Sequence, residues 1–273
     1  MPRLVEPARS PVPTEQRMNG CFETMRAYRG RIFRLEAHLD RLYASAQFLG
    51  TRAPSDRRRL AKQLTDALAR SGLREAVVRV ALMVRRGHDA KPSIVVQPAI
   101  RPSPEQYRNG IRVAVVPARK FSVGSINPQS KYSARLGSVL AVMDAQLRGV
   151  DEALFLDETG SITESTASNV GIISRGVIRT PPIWLGLLAG ITRDILFELA
   201  DALHVPIQET PLTRHDMYNA DEAFMTSTLK EVLGIVWIDG RRVGRGRPGP
   251  VTETLRKAFR TLVDHEISVE DSP

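Results

Sequence analysis

Hydrophobic positions recur at two different spacings along this chain, and the switches between them predict its elements. Two short β-compatible runs, 21–28 and 31–35, flank the turn Arg29-Gly30 and predict a strand pair. The spacing then lengthens. Leu39, Leu42 and Ala46 predict a helix over 36–49, closed by Gly50, and Leu60, Leu64 and Leu68 predict a second over 55–71. Apolar runs at 76–84, 93–96 and 111–116 read as buried strands. Beyond them the pattern predicts a helix over 133–147, a strand over 152–157 and a turn at Asp157-Glu158-Thr159-Gly160. A hairpin of 162–174 and 177–180 follows around Arg175-Gly176, then a helix over 191–203. Strands at 222–227 and 233–238, a turn at Asp239-Gly240 and a helix over 252–263 complete the set.

Many strands mixed with a few helices predict an α+β (mixed α/β) class in two domains. An N-terminal α+β domain is expected over 1–117, with 1–17 as a Pro- and Arg-rich arm. The poorly periodic stretch 118–129 is expected to be an interdomain loop, and 130–273 a C-terminal domain. No internal repeat is present.

Composition narrows the function classes. The 273 residues are 42% hydrophobic, enough for a sizeable core. A single cysteine, Cys21, excludes an intramolecular disulfide and a thiolate metal cluster, and suggests a reducing compartment. The first residues carry no signal-like apolar run. The most apolar long stretch, 184–203, is interrupted by Arg193, Asp194, Glu198 and Asp201. A cytoplasmic protein without a membrane span is expected. The net charge of +9 suits an anionic ligand or nucleic acid. The densest basic run, 241–247, has no aromatic side chain to stack a base, so nucleic acid is not the expected partner. Of the 39 Lys and Arg residues only Lys62, Lys91, Lys120, Lys131, Lys230 and Lys257 are lysines. Arginine cannot form an imine, so these six are the candidates for amine chemistry.

Other candidate groups are scattered. Gly190-Ile191-Thr192 opens a predicted helix, whose free N–H groups suit a phosphate as well as an ordinary cap. Thr226-Ser227-Thr228 offers three hydroxyls after an apolar strand. Glu164 lies among small polar residues and is either half-buried with partners or facing solvent. His38, His88, His204, His215 and His265 have no metal-ligand spacing, so no metal is expected. Neither Gly-x-Ser-x-Gly, Gly-x-Gly-x-x-Gly nor a Walker loop is present.

The order of several blocks is more specific than any one of them. These are Gly20-Cys21-Phe22-Glu23-Thr24-Met25-Arg26, His38-Leu39-Asp40-Arg41-Leu42, Lys131 with Leu136 and Leu140 behind it, and Asp151 to Asp157. Ile162-Thr163-Glu164-Ser165-Thr166, Ser168-Asn169, Thr180-Pro181-Pro182, Gly190-Ile191-Thr192-Arg193, Ala220 to Phe224 and Gly246 to Pro250 follow. From Asn19 onward the chain resembles the class IV pyridoxal-phosphate-dependent aminotransferases. That group includes branched-chain and D-amino-acid aminotransferases and 4-amino-4-deoxychorismate lyase.

The resemblance implies the two-domain fold type IV, with a mixed-sheet, barrel-like C-terminal domain that binds pyridoxal 5'-phosphate. It implies that Lys131 is the Schiff-base lysine and proton carrier, that Glu164 faces the pyridine nitrogen and that Arg41 binds the phosphate. Ile191, Thr192 and Thr228 would complete the phosphate cup. It implies transfer of an amino group between an amino acid or amine and a 2-oxo acid in a homodimer. The alternatives are a lyase of the aminodeoxychorismate kind and an inactive protein on the same fold. Arg26, Arg85, Arg86 and His88 are candidates to bind a substrate carboxylate. The chain departs from the family pattern at Pro11 to Met18, Ala134, Gly171 and Ala189.

Overall fold

A computed structural model describes residues 20–83, 89–119, 128–133 and 135–269. In chain order the elements are β1 (Gly20–Tyr28), β2 (Arg31–Ile32), α1 (Leu35–Phe48), α2 (Arg57–Ser71), β3 (Ala76–Met83), β4 (Pro92–Pro98), α3 (Pro104–Asn109) and β5 (Ile111–Arg119). After these come α4 (Leu136–Leu147), β6 (Glu152–Leu156), β7 (Ile162–Ser165), β8 (Asn169–Ser174), β9 (Val177–Thr180) and a 3-10 turn, Ile183–Leu185. The last are α5 (Ile191–Ala202), β10 (Ile207–Glu209), α6 (Arg214–Tyr218), β11 (Glu222–Ser227), β12 (Glu231–Ile238), β13 (Arg241–Arg242) and α7 (Pro250–Val269).

The first sheet is antiparallel, in the order β2-β1-β3-β4. Helices α1 and α2 cover one of its faces. The Leu60, Leu64 and Leu68 stripe of α2 is buried with Leu39, Leu42 and Ala46 of α1 against Met25, Val78 and Val80. Helix α2 is bounded by its own sequence. The Asp56 carboxylate accepts from Arg59 N at 2.8 Å, and Gly72 ends the helix at φ 68°, a left-handed conformation that glycine adopts without strain.

In the second sheet, β8-β11-β12-β5-β6-β7 form a ring that closes where Glu164 of β7 pairs with Asn169 of β8. β5 runs parallel to both neighbours. β9 and β10 extend the sheet beyond β8, and β13 pairs with β12. The ring is filled by apolar side chains including Val113, Leu154, Val170, Met225 and Ile235. This is the expected mixed fold with a barrel-like second sheet.

The expected division of the chain at 118–129 does not follow the sheets. β5 belongs to the ring, and Tyr107 of α3 packs in the ring's core. The residues of 111–117, expected in the first domain, therefore pair with the second sheet.

The two parts are tied together by buried charge. Arg26 of β1 is 1% exposed, donates to Glu75 at 3.2 Å and lies 3.3 Å from Glu231 of β12. Tyr28 Oη and Arg260 Nε also donate to Glu231, at 3.2 and 3.0 Å.

Candidate active site

A cavity of about 230 Å³ lies where the open face of the first sheet meets the ring. Lys131, Glu164, Arg41, Ile191, Thr192 and Thr228, six residues expected to act together from the sequence, all line it.

Lys131 is placed by an open strand edge. β2 pairs only with Ala27 and Tyr28, so the first half of β1 has free backbone groups on that side. The lysine segment takes them up: Phe22 N donates to Lys131 O at 3.0 Å, and Ser133 N donates to Gly20 O at 2.8 Å. Lys131 N in turn donates to Ser45 Oγ of α1 at 3.0 Å. This pairing bridges Tyr132 to Cys21, and α4 begins at Leu136 rather than at the expected residue 133. The Lys131 amine lies 5.3 Å from the centre of the Phe22 ring. Burial, and then the charge of Arg41, lower its pKa from 10.5 to about 7.

Arg41 is held by a carboxylate below it. Its Nε and Nη2 donate to the two oxygens of Glu23 at 2.7 and 2.9 Å, and its Nη1 donates to Ala189 O at 2.7 Å. Glu23 is fully buried. Burial opposes its charge, but the charge and hydrogen bonds of Arg41, with those of His38, outweigh it and hold the carboxyl well below the usual range. His38 Nδ1 is 2.8 Å from Glu23 Oε2. Because the ionised carboxylate only accepts, His38 is the donor, and burial lowers its pKa, favouring the neutral ring. Glu23 was legible only as one letter of a motif. Its task appears once α1 is packed on β1.

Glu164 is buried where the ring closes. Leu188 N donates to its Oε2 at 3.0 Å. Asn169 Nδ2 lies 3.4 Å from the same oxygen and donates to Leu188 O at 2.9 Å. The solvent-facing reading of Glu164 is therefore overturned. Gly190, the N-cap of α5, leaves no room for a side chain: a Cβ there would stand 1.9 Å from Asn169 Oδ1. With no capping side chain, the first N–H groups of α5 are left for a ligand. The departure at Gly171 also has a physical reason. Phe224 fills the space, its ring 2.6 Å from where a Cβ would stand.

The donor set fits pyridoxal phosphate. An amine of lowered pKa, a fixed buried carboxylate and an arginine beside an uncapped helix start face one cavity. Of the weaker candidates, Arg26 is not in the cavity. It is committed to Glu75 and Glu231 and stacks 4.4 Å over the Tyr28 ring, so it is a structural cation. Arg85, Arg86 and His88 lie outside the described residues. The cavity brings in three arginines that the sequence reasoning did not single out: Arg79, Arg119 and Arg135. Arg79 could have been found, since it is the one charged residue in the apolar run of β3. Among the described residues no group of His, Cys, Asp and Glu is arranged to hold a metal ion. No described helix is long and apolar enough to cross a membrane.

The family model described as amino-transferase class IV matches residues 20–238. A putative branched-chain-amino-acid aminotransferase of Methanocaldococcus jannaschii is 38% identical over 253 residues, spanning 89% of this chain and 87% of that protein. A D-alanine aminotransferase of Bacillus licheniformis is 30% identical over 276 residues, spanning 96% and 95%. Among solved structures, the branched-chain amino acid aminotransferase of Thermobaculum terrenum in its PLP-bound holo form superposes with a TM-score of 0.84 at 28% identity, covering 91% of this chain and 86% of that one.

Proposed function

This chain belongs to the class IV aminotransferases and is a pyridoxal-phosphate enzyme, and from that premise we propose that Lys131 is its catalytic amine, serving transfer of an amino group from an amino acid to a 2-oxo acid. The observation that carries this assignment is that Lys131, Glu164 and Arg41 face one cavity with the uncapped start of α5, where burial also lowers the Lys131 pKa. Bound there, pyridoxal phosphate supplies an electron sink that no side chain offers. Arg41, the start of α5 at Ile191 and Thr192, and the Thr228 hydroxyl would hold its phosphate. Glu164, fixed by Leu188 N–H and Asn169, would keep positive charge on the ring nitrogen. A Lys131 Nζ that is partly neutral near pH 7 can form the covalent link and, when released, move a proton at the substrate carbon.

The family members it resembles are named as aminotransferases, and this favours transfer over the lyase alternative. Visible spectra of purified protein test the reading. Wild type is expected to show a cofactor band that shifts on adding an amino acid and returns on adding a 2-oxo acid. Lys131→Ala is expected to lose that cycle by at least about 10²- to 10⁴-fold, the range of one acid–base group. A full cycle in Lys131→Ala overturns the assignment.

We also infer a homodimer. Val139, Leu140, Met143 and Leu147 of α4 are 54, 52, 53 and 87% exposed, an apolar face that suits a second copy. Leu140→Glu with Met143→Glu is expected to yield monomers in sedimentation. We take the enzyme to be cytoplasmic, on its one cysteine, Cys21, which is buried and whose pKa burial raises to about 12.

A further inference from the structure

The hairpin of β11 and β12 turns at the cavity, and its turn is held from two sides. Ser227 pairs with Glu231, and Thr228, Leu229 and Lys230 between them line the cavity. Lys230 N donates to Ser227 Oγ at 3.2 Å, and Tyr107 Oη of α3 donates to Lys230 O at 3.2 Å. Glu231 stands at φ 54°, a left-handed backbone that a side chain disfavours. Tyr28, Arg26 and Arg260 hold it there from one side. The other side rests on Glu152, the first residue of β6, whose side chain is 7% exposed. One of its oxygens accepts from the Thr166 hydroxyl at 2.5 Å, and the other accepts from the Lys230 amine. Thr166 opens the 166–168 turn between Glu164 on β7 and Asn169 on β8, and its carbonyl accepts from Arg135. Glu152 thus joins the turn that carries Thr228 to the turn that follows Glu164.

We propose that Lys230 is a positioning residue, whose ion pair with Glu152 holds the 228–231 turn against the 166–168 turn and so aims the Thr228 hydroxyl at the cofactor phosphate. This rests on the reading of Thr228 as part of the phosphate cup and adds what keeps it in place. A pair this far out of water returns little net stability, because the loss of hydration offsets the attraction. What it returns is a fixed geometry. The amine is spent on Glu152, so it does not itself hold the phosphate. The two residues therefore act as a unit. Without the amine, the Glu152 carboxylate is left buried with no cation. Without the carboxylate charge, the amine, on a side chain 26% exposed, turns to water and releases the turn. The loss expected in Glu152→Gln runs against simple Coulomb attraction, since removing a negative charge by itself strengthens the binding of an anion.

The test uses the full chain and its Lys230→Met, Lys230→Arg, Glu152→Gln and Lys230→Met/Glu152→Gln variants. Lys62→Met, which breaks a surface pair with Asp66, is the control. One arm titrates cofactor-free protein with pyridoxal 5'-phosphate and with pyridoxal, which lacks the phosphate, and follows the cofactor band. Lys230→Met and Glu152→Gln should each weaken pyridoxal 5'-phosphate by about 10-fold, roughly the effect of one charged hydrogen bond, and leave pyridoxal unchanged. The double variant should bind no more weakly than the weaker single one, as two ends of one contact do. Lys230→Arg should recover most of the loss. The second arm follows amide hydrogen exchange in cofactor-free protein, which should quicken at 228–231 in Lys230→Met and stay unchanged in α2. Tighter binding of pyridoxal 5'-phosphate by Glu152→Gln would show that the amine grips the phosphate itself and would overturn the proposal. Equal losses for both ligands, or additive losses in the double variant, would overturn it as well. If wild type binds the two ligands equally, the phosphate reading of the cavity fails. The exchange arm then still decides whether Lys230 holds the turn, and unchanged exchange at 228–231 overturns that.

Discussion

Substituting Glu23 by Gln isolates the support beneath Arg41. The side chain keeps its shape and loses its charge. Glu23 is 0% exposed and Arg41 12%, with two hydrogen bonds of 2.7 and 2.9 Å between them and a third from His38 at 2.8 Å. Removing one partner of a buried ion pair costs about 3–5 kcal/mol, because the other charge is left uncompensated. Gln retains one oxygen acceptor, so the expected loss is smaller, about 2–3 kcal/mol. For a chain of this size that corresponds to a fall in Tm of roughly 4–12 °C, at about 2–4 °C per kcal/mol. Arg41 would no longer be aimed, and affinity for the cofactor should fall by about 10- to 100-fold. Glu36→Gln is the control: its pair with Arg57 leaves the carboxylate side chain 68% exposed, and such surface pairs contribute about 0–1 kcal/mol. Calorimetry gives the Tm, and quenching of protein fluorescence by added pyridoxal phosphate gives the affinity. The pH dependence has a definite sign. Glu23 has a folded pKa below its ordinary 4.5, so its contribution is complete above that value and fades as pH falls. His38 has a folded pKa below 6.5, so below pH 6.5 the unfolded chain takes up its proton first, which also removes stability with acid. Wild type should lose stability from about pH 6.5 downward, and Glu23→Gln should show a shallower loss below about pH 4.5. A variant with unchanged Tm and unchanged cofactor affinity would refute the idea that Glu23 holds Arg41.

Further outcomes follow from the site. In cofactor-free protein, amine-selective labelling of Lys131 should reach half its maximal rate near pH 7. Arg41→Met should move that midpoint upward by removing a neighbouring positive charge, and a wild-type midpoint near 10 would contradict the burial argument. Because the folded pKa is depressed, Lys131 adds stability as pH rises from about 7 to 10.5, and Lys131→Met should flatten that slope. Gly190→Ala places a Cβ 1.9 Å from Asn169 Oδ1, which should cost about 1–3 kcal/mol of stability and weaken cofactor binding together. A Tm within about 1 °C of wild type would show that Asn169 moves aside freely.

Where the residues themselves encode an element, the sequence was enough. Helix α2 has a regular leucine stripe, an Asp56 cap and a Gly72 stop, and the expected and observed bounds differ by two residues at one end. The misses share a cause, which is that a distant partner decides the local structure. The run 162–174 reads as one strand because it lacks polar alternation. The structure breaks it at 166–168, where Ser165 N donates to Ser168 O at 2.8 Å, so that β7 can turn back and close the ring. Helix α3 shows no period in its six residues, and only the capping box of Ser103 and Gln106 marks its start. The same division runs through the site. Lys131, Glu164 and Arg41 stand in ordered motifs, so they could be named before any fold was known. Glu23 and the cavity arginines Arg79, Arg119 and Arg135 could not be assigned tasks from order alone. Each depends on which side chain lies opposite it across a packed interface, and that is set by the register of β1 on β3 and by the closure of β7 on β8.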